Sequence, residues 1–600
     1  LGLYFFTILI LSASIKILAV LISCSTKQIN PTKSACSMNN RIFFKPALYS
    51  LAIFVFLFAN TLTVQALELP AAAIATAHPL ATKAGHKILQ QGGNAFDAAV
   101  AITASLAVVE PTGSGLGGGG FWLIHREKDK HQTMIDGREK APKAAHRDMY
   151  LDKTGNVIPG LSMNGPLSAG IPGTPAGMVH LAKKYGRLPL AKSLQPAIEQ
   201  ASHGFKVDEH YQRMAKFRLQ ALRQSPAAAA VFLQKNEVPE VGYVIKQPDL
   251  ANTLKLIADN GNDGFYTGEL AKKMVQGVRD AKGIWSMDDL ANYRIVERQP
   301  VRGSYRGIAI TTAAPPSSGG IALITILNIL SGFDLERYDA TTRKHLTIEA
   351  MRRAYRDRAV YLGDPDFVKV PKSRLTHPYY ADGLRATINP EKATPSALLP
   401  GVSSSAKGQD TTHFSVIDKE GNRVSATLTI NYPFGSCFMP PETGVLLNDE
   451  MDDFSAKPGE PNAYGLVGAE ANAIEPEKRP LSSMSPTFLE NENGVVVLGT
   501  PGGSRIITMV LLGILEYANG GDPQTIVSLP RYHHQFLPDY VQYEEDALSE
   551  LEIGNLQQLG HQLKQTSWRY GNMQAVMWDK QQNKMSAASD PRVGGLAEVR

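Results

Sequence analysis

The segment Thr411-Thr412-His413-Phe414-Ser415-Val416 puts two threonines at the head of a β-rich run. It follows directly on the polar, turn-prone stretch Gly401-Val402-Ser403-Ser404-Ser405-Ala406-Lys407-Gly408. A threonine hydroxyl attacks poorly until a base takes its proton. Cutting the peptide bond between Asp410 and Thr411 would supply that base from Thr411 itself. The new α-amine, with a pKa of about 7.7–8.0, would sit within reach of its own side chain. Uncut, the same residues are ordinary strand formers, because β-branched threonine suits a sheet. The chemistry to look for is nucleophilic attack by a threonine that carries its own base.

Other motifs point to chemistry that their surroundings do not support. Gly113-Ser114-Gly115-Leu116-Gly117-Gly118 has the glycine spacing of a dinucleotide loop, with Asp136 downstream. Such a loop must open a helix, whereas Phe121-Trp122-Leu123-Ile124-His125 has strand character. Gly117 to Gly120 therefore reads as a close-packing or turn element. Ser404 and Lys407 fit the S-x-x-K spacing of penicillin-binding enzymes, but Lys153-Thr154-Gly155 comes before it, inside a turn from Asp152 to Asn156. His533-His534 has no acidic or histidine partner at ligand spacing, and neighbours on a strand face opposite ways. Cys24, Cys36 and Cys437 are the only cysteines, which excludes a disulfide framework or a zinc finger. Cys437 reads as small apolar filler. No cofactor or metal is expected.

A nucleophile at a strand start needs a packed scaffold to hold it. The 600 residues are 43% apolar and 20% charged, which suits a globular protein and excludes wholesale disorder. Residues 71–109 read as helices on either side of Gly92-Gly93-Asn94, and helical patterns continue from Pro166 to Ile284. Residues 344–363 form a further amphipathic pattern. Thr411 to Ile417 and Arg423 to Ile430 read as strands of a hairpin turning at Asp418–Asn422. Helices first and paired strands later predict an α+β layered fold.

The net charge of +5 comes from the first 66 residues, where Lys16, Lys27, Lys33, Arg41 and Lys45 meet no acid; the rest balances 56 basic against 56 acidic groups. Bulk electrostatics therefore give no support to a nucleic-acid partner. From Met38, a basic start (Arg41, Lys45), an apolar run from Ala47 to Ala59 and the small-residue site Val64-Gln65-Ala66 read as a cleaved signal peptide over 38–66. A periplasmic or secreted product is expected. Leu21-Ile22-Ser23-Cys24 resembles a lipoprotein cleavage box, but its use would strand a second apolar segment in the product. Residues 1–37 read as an uncertain upstream segment, consistent with an over-long gene call.

Several long blocks resemble the γ-glutamyltranspeptidase family. They are residues 409–455, Arg479-Pro-Leu-Ser-Ser-Met-Ser-Pro486 and Thr500-Pro-Gly-Gly-Ser-Arg505, with Glu110-Pro111, Ser114 to Phe121 and Asp136-Gly-Arg-Glu-Lys140 upstream. The resemblance implies an N-terminal-nucleophile hydrolase with a four-layer αββα sandwich, made as a precursor that cuts itself between Asp410 and Thr411. Residues 67–410 would form the large subunit and 411–600 the small catalytic one, held as a heterodimer. The implied reaction moves the γ-glutamyl group of glutathione and related compounds to water, amino acids or peptides. Position by position, Thr411 is then the nucleophile and Thr429 the hydroxyl beside it. Arg138, with Ser482 and Ser483, would grip the donor's α-carboxylate, a task that suits a guanidinium fork. Asn431, Glu450 and Asp453 would meet its α-ammonium, Gly502 and Gly503 would form the oxyanion hole, and Tyr464 would belong to a lid. A glutaryl-type β-lactam acylase of the same fold is the competing enzyme, but a glutaryl group has no amine for Asn431 and Asp453 to meet. A non-catalytic periplasmic binding protein would need neither a cleavable loop nor a threonine at a strand start.

Overall fold

Two sheets packed face to face carry the structure. The computed structural model describes residues 68–400, 411–457, 459, 466 and 468–600. The segments 1–37 and 38–66, Ser404, Lys407, Asp410 and Tyr464 lie outside the described residues. The chain divides into units Leu1–Gln65 and Ala66–Arg600, and every described residue belongs to the second.

The first sheet runs, in spatial order, β13 (Leu596–Val599), β1 (Ala73–Thr76), β7 (Thr412–Ile417), β8 (Arg423–Thr429), β2 (Gly119–Arg126), β3 (His131–Gly137) and β4 (Val296–Arg298). The second runs β12 (Lys584–Ser589), β11 (Gln574–Asp579), β10 (Gly494–Gly499), β9 (Thr487–Glu490), β6 (Ile308–Thr312) and β5 (Val301–Tyr305). β1, β7 and β8 of the first sheet pack on β10 and β11 of the second. On the outer face of the first sheet lie α1 (Pro79–Gln90), α2 (Ala95–Val109) and α3 (Thr174–Tyr185). The second sheet is covered by α4 (Gly319–Leu330) and α6 (Ile506–Ala518), with α5 (Ala340–Tyr361) packed on α4. The result is a four-layer αββα sandwich.

Local chemistry accounts for the elements nearest the centre. Asn94 caps α2 through the N–H groups of Phe96 and Asp97, and Asp97 returns a bond to the Asn94 N–H; this capping box fixes where the helix starts. All fifteen residues of α2 are buried, as expected of a helix apolar all round and enclosed on every side. β7 and β8 are likewise buried along their whole length, because helices cover one face and the second sheet the other. Their turn is tied by Asp418, which accepts the N–H groups of Glu420 and Asn422.

One expectation is corrected. Residues 71–109 are not helical throughout, since Ala73–Thr76 is strand β1, paired with β13 on one side and β7 on the other. Alanine favours a helix in isolation, and the two ladders override that weak preference. The glycine run continues into strand β2 rather than a helix, which removes the dinucleotide interpretation. Its packing is close: a Cβ on Gly117 would stand 2.1 Å from the Leu446 carbonyl oxygen, and one on Gly118 2.0 Å from that of Thr429.

Candidate active site

Thr411 immediately precedes β7. The register pairs Thr412 with Leu428, and one further step brings Thr411 opposite Thr429. Opposed residues hold their Cβ atoms about 4.5–5.5 Å apart, so the two hydroxyls are cross-strand neighbours. Thr429 Oγ1 accepts the Asn431 N–H at 2.7 Å. Asn431 has φ 73°, a left-handed conformation that asparagine tolerates better than most side chains. It turns the chain out of β8, and its Nδ2 donates to the Asp449 carbonyl at 2.9 Å. Asn448 fastens the segment that leads into Glu450: Nδ2 donates to the carbonyls of Gly117 and Gly170, and Oδ1 accepts the Glu450 N–H. The short helical turn Glu450–Asp453 is thereby held beside Thr411.

Arg138 arrives from the other side, one residue past the end of β3. It is fully buried. Nε donates to the Pro480 carbonyl at 3.1 Å, Nη1 to Glu450, and Nη2 to Asp453 Oδ2 at 2.5 Å. Ser482 and Ser483 lie on a segment strapped to Pro316 and Ser318 by backbone bonds of 2.8 Å. Ser482 Oγ accepts the Met484 N–H, and Ser483 Oγ accepts from Arg358 Nη2 at 3.3 Å. Gly502 and Gly503 have φ 138° and 56°, a conformation open to glycine, and they lead into the N-terminus of α6. Exposed N–H groups and the helix dipole favour negative charge there.

Arg138, Thr411, Thr429, Asn431, Glu450, Asp453, Ser482, Ser483 and Gly503 line one small pocket of about 20 Å³, space for roughly a single water. Thr411 also lines a second, larger cavity of about 1000 Å³, and Gly502 lies on that wall. Arg505, Tyr570 and the exposed rings of Phe217 and Trp568 share it. The nucleophile candidate thus stands between a tight polar pocket and a roomy cavity.

Around the pocket, two buried guanidiniums, Arg138 and Arg358, stand among several acids. Burial works against the charge on Arg138, but Glu450, Asp453 and Glu139 outweigh it and hold the guanidinium above its ordinary value. Burial pushes the carboxyls of Glu450 and Asp453 up, with Arg138 opposing. Burial pushes Glu139 up in the same way, so these buried carboxyls resist ionising together.

Residues 81–599 match the family model described as Gamma-glutamyltranspeptidase. The chain belongs to the γ-glutamyltranspeptidase family. It is 47% identical over 482 residues to the glutathione hydrolase proenzyme of Pseudomonas sp. (strain A14), which covers 79% of this chain and 84% of that protein. Among solved structures it resembles the γ-glutamyltranspeptidase of Helicobacter pylori, with a TM-score of 0.53 and 43% identity, over 54% of this chain and 93% of that one. It also resembles the cephalosporin acylase of Bacillus halodurans, with a TM-score of 0.78 and 27% identity, over 89% and 96%. The fold is shared with the acylase, and the sequence is nearer the transpeptidases.

Within this family member, three buried groups near the pocket escape a sequence reading. Arg358, inward on α5, is a second guanidinium that burial pulls down to about 10. Its helix reads as a charged amphipathic pattern, and nothing local marks which arginines turn inward. Glu110 accepts the Thr412 hydroxyl at 2.5 Å; its place in the quoted Glu-Pro motif was the available signal. Glu139 stands beside Arg138 in the motif Asp136-Gly-Arg-Glu-Lys140, with no role attached to it. Elsewhere, His345, Glu349 and His561 have ligand-like spacing. However, His345 and His561 bond each other at 2.7 Å, and Glu349 is held by Arg352 and Arg353. Two guanidiniums oppose a cation there. His533 and His534 are buried and bonded to Thr508 and Asp539 respectively, as core histidines.

Proposed function

We propose that this chain is a proenzyme that cuts itself before Thr411 and then carries γ-glutamyl groups on that residue. The donor is glutathione or a related γ-glutamyl compound, and the acceptor is water, an amino acid or a peptide. The observation that carries this is the meeting of Thr411, Thr429, Arg138, Asn431, Glu450 and Asp453 in one pocket. A donor's α-carboxylate suits the Arg138 fork, and its α-ammonium suits Glu450, Asp453 and the Asn431 carbonyl oxygen. A glutaryl group would leave those buried acids without a cation, which disfavours an acylase.

In maturation, Thr411 Oγ attacks the Asp410 carbonyl, the acyl group passes from nitrogen to oxygen, and water releases it. Residues 67–410 and 411–600 become the two subunits of a heterodimer. In turnover the freed α-amine takes the proton from Oγ, which attacks the donor's γ-carbonyl. Thr429 orients that hydroxyl, and the Gly502 and Gly503 N–H groups receive the oxyanion, where one lost donor typically costs about 3–4 kcal/mol. The α-ammonium returns its proton to the leaving amine, and the ester on Thr411 is then opened by the acceptor. Because the pocket holds space for little more than one water, Arg138, Glu450 and Asp453 must part to admit the glutamyl head. The pattern from Met38 to Ala66 supports export to the periplasm or the exterior as part of the same proposal.

Substitution of Thr411 tests it. Thr411→Ala removes the attacking atom, so the chain should run as one band on a denaturing gel and release no γ-glutamyl product. Thr411→Ser keeps the hydroxyl but loses the methyl that restricts χ1, so it should cut more slowly and retain reduced activity. A Thr411→Ala chain that still splits between 410 and 411 overturns the mechanism.

A further inference from the structure

Glu139 follows Arg138 directly and is fully buried. Neither of its carboxyl oxygens has a hydrogen-bond partner among the described residues. The fold nonetheless reserves space for it. A Cβ on Gly119, in the glycine run, would stand 2.6 Å from Glu139 Oε2, and one on Gly170 would stand 3.0 Å from Glu139 Cβ. Alanine at either place would crowd the side chain. Its nearest charge is Arg138, whose Nη1 lies 3.6 Å from Oε2. The other titratable groups facing it are Asp136 on β3, Glu450 and Asp453 on the turn, and the phenols of Tyr266 and Tyr293.

Glu450 and Asp453 bond the guanidinium directly, whereas Glu139 does not. A buried carboxylate without a hydrogen bond is costly, and a neutral carboxylic acid much less so. Burial pushes both Glu450 and Glu139 towards the protonated form, and of the two Glu139 is the one that makes no hydrogen bond to the guanidinium. Glu139 is pushed up to about 8, against the pull of Arg138. It is not among the residues lining the pocket, so it acts on a donor only through Arg138.

We propose that Glu139 is a positioning residue for the donor clamp. As a neutral acid behind Arg138 it leaves the guanidinium's charge to the donor's α-carboxylate, and as a carboxylate it competes for that charge. The proposal rests on Arg138 being the clamp. When a donor's ammonium engages Glu450 and Asp453, Glu139 remains as the acid directly beside Arg138. Its ionisation then weakens donor binding without touching the Thr411 chemistry, so the effect falls on KM and not on kcat.

The test uses the processed wild-type heterodimer and Glu139→Gln, each hydrolysing a γ-glutamyl anilide from pH 6.5 to 9. The wild-type KM should climb about five- to tenfold between pH 7.5 and 9, the span over which a group of that pKa loses its proton. The Glu139→Gln KM should stay within about twofold over the same range, while kcat follows one curve in both proteins. A flat wild-type KM, or the same climb in Glu139→Gln, overturns the proposal. If Glu139→Gln is not cut into two chains, Glu139→Asp replaces it; a shifted midpoint of the climb supports the proposal and an unmoved one overturns it. Arg138→Lys separates the two levels. A raised KM there with an unaltered Glu139→Gln profile removes only the role of Glu139, whereas an unchanged KM removes the clamp itself.

Discussion

At the scale of single residues, Arg138 shows how a buried cation is held by three acceptors at once. Its two terminal nitrogens serve two different acids, Glu450 and Asp453, while Nε is fixed on the Pro480 carbonyl. A lysine ammonium could reach one of those acids but could not span both or hold the third anchor. Arg138→Lys should therefore raise KM for a γ-glutamyl donor about tenfold or more, a charge-assisted hydrogen bond being worth about 1.5–3 kcal/mol. With kcat little changed, initial-rate measurements over donor concentration check this directly. The identities of Thr411, Arg138, Asn431 and Asp453 are legible in the sequence because each lies in a long family-like block. Their mutual arrangement is not. Nothing near position 138 announces that its side chain is matched by residues more than 300 positions away, and nothing near 139 reveals a buried carboxyl whose oxygens accept no hydrogen bond. Such facts depend on which strands come to lie side by side.

At the scale of elements, the β7–β8 hairpin is the part the sequence spells out most clearly, with β-rich runs on either side of Asp418–Asn422. β1 is the part it conceals, since Ala73-Ile74-Ala75-Thr76 is short, sits in an alanine-rich stretch and owes its conformation to two neighbouring ladders. The glycines at 117–120 are intermediate. Their sequence suggests close approach, and the structure supplies the partner: β2 lies so near β8 that a side chain at Gly118 would meet the Thr429 carbonyl oxygen. Gly118→Ala should push β8 outward at the residue facing Thr411. Overpacking of this kind costs about 1–3 kcal/mol, so both the melting temperature and the fraction of chain cut in two should fall. Gly554→Ala is the matched control, in the helix Glu550–Gln558 with nothing within 4 Å of the added methyl. It should leave processing intact and be neutral or slightly stabilising. Equal losses in the two variants would show that the contact with Thr429 is not what limits maturation.

At the scale of the whole molecule, the order of strands matters more than any one of them. In the first sheet β7 and β8 lie between β1 and β2, and β13 caps the far side of β1; in the second, β9 pairs with β6. Segments from before and after Thr411 thus interleave in the first sheet and meet at one junction in the second, and every such meeting is a ladder of backbone hydrogen bonds. A cut before Thr411 breaks one covalent bond and none of those ladders. It does change how the molecule can be rebuilt. An uncut chain searches for its partners within itself, whereas two cut chains must first find each other, at a rate set by their concentration. After dilution from denaturant, the uncut Thr411→Ala protein should regain its secondary structure with a half-time independent of concentration. The processed enzyme should recover more slowly as it is diluted, or aggregate instead. Similar, concentration-independent recovery of both would mean that the halves fold without needing one another. If the proposed cut is made, it acts as a ratchet: the working protein then lasts only as long as it avoids opening, with a lifetime governed by the rate of unfolding rather than by an equilibrium it can revisit.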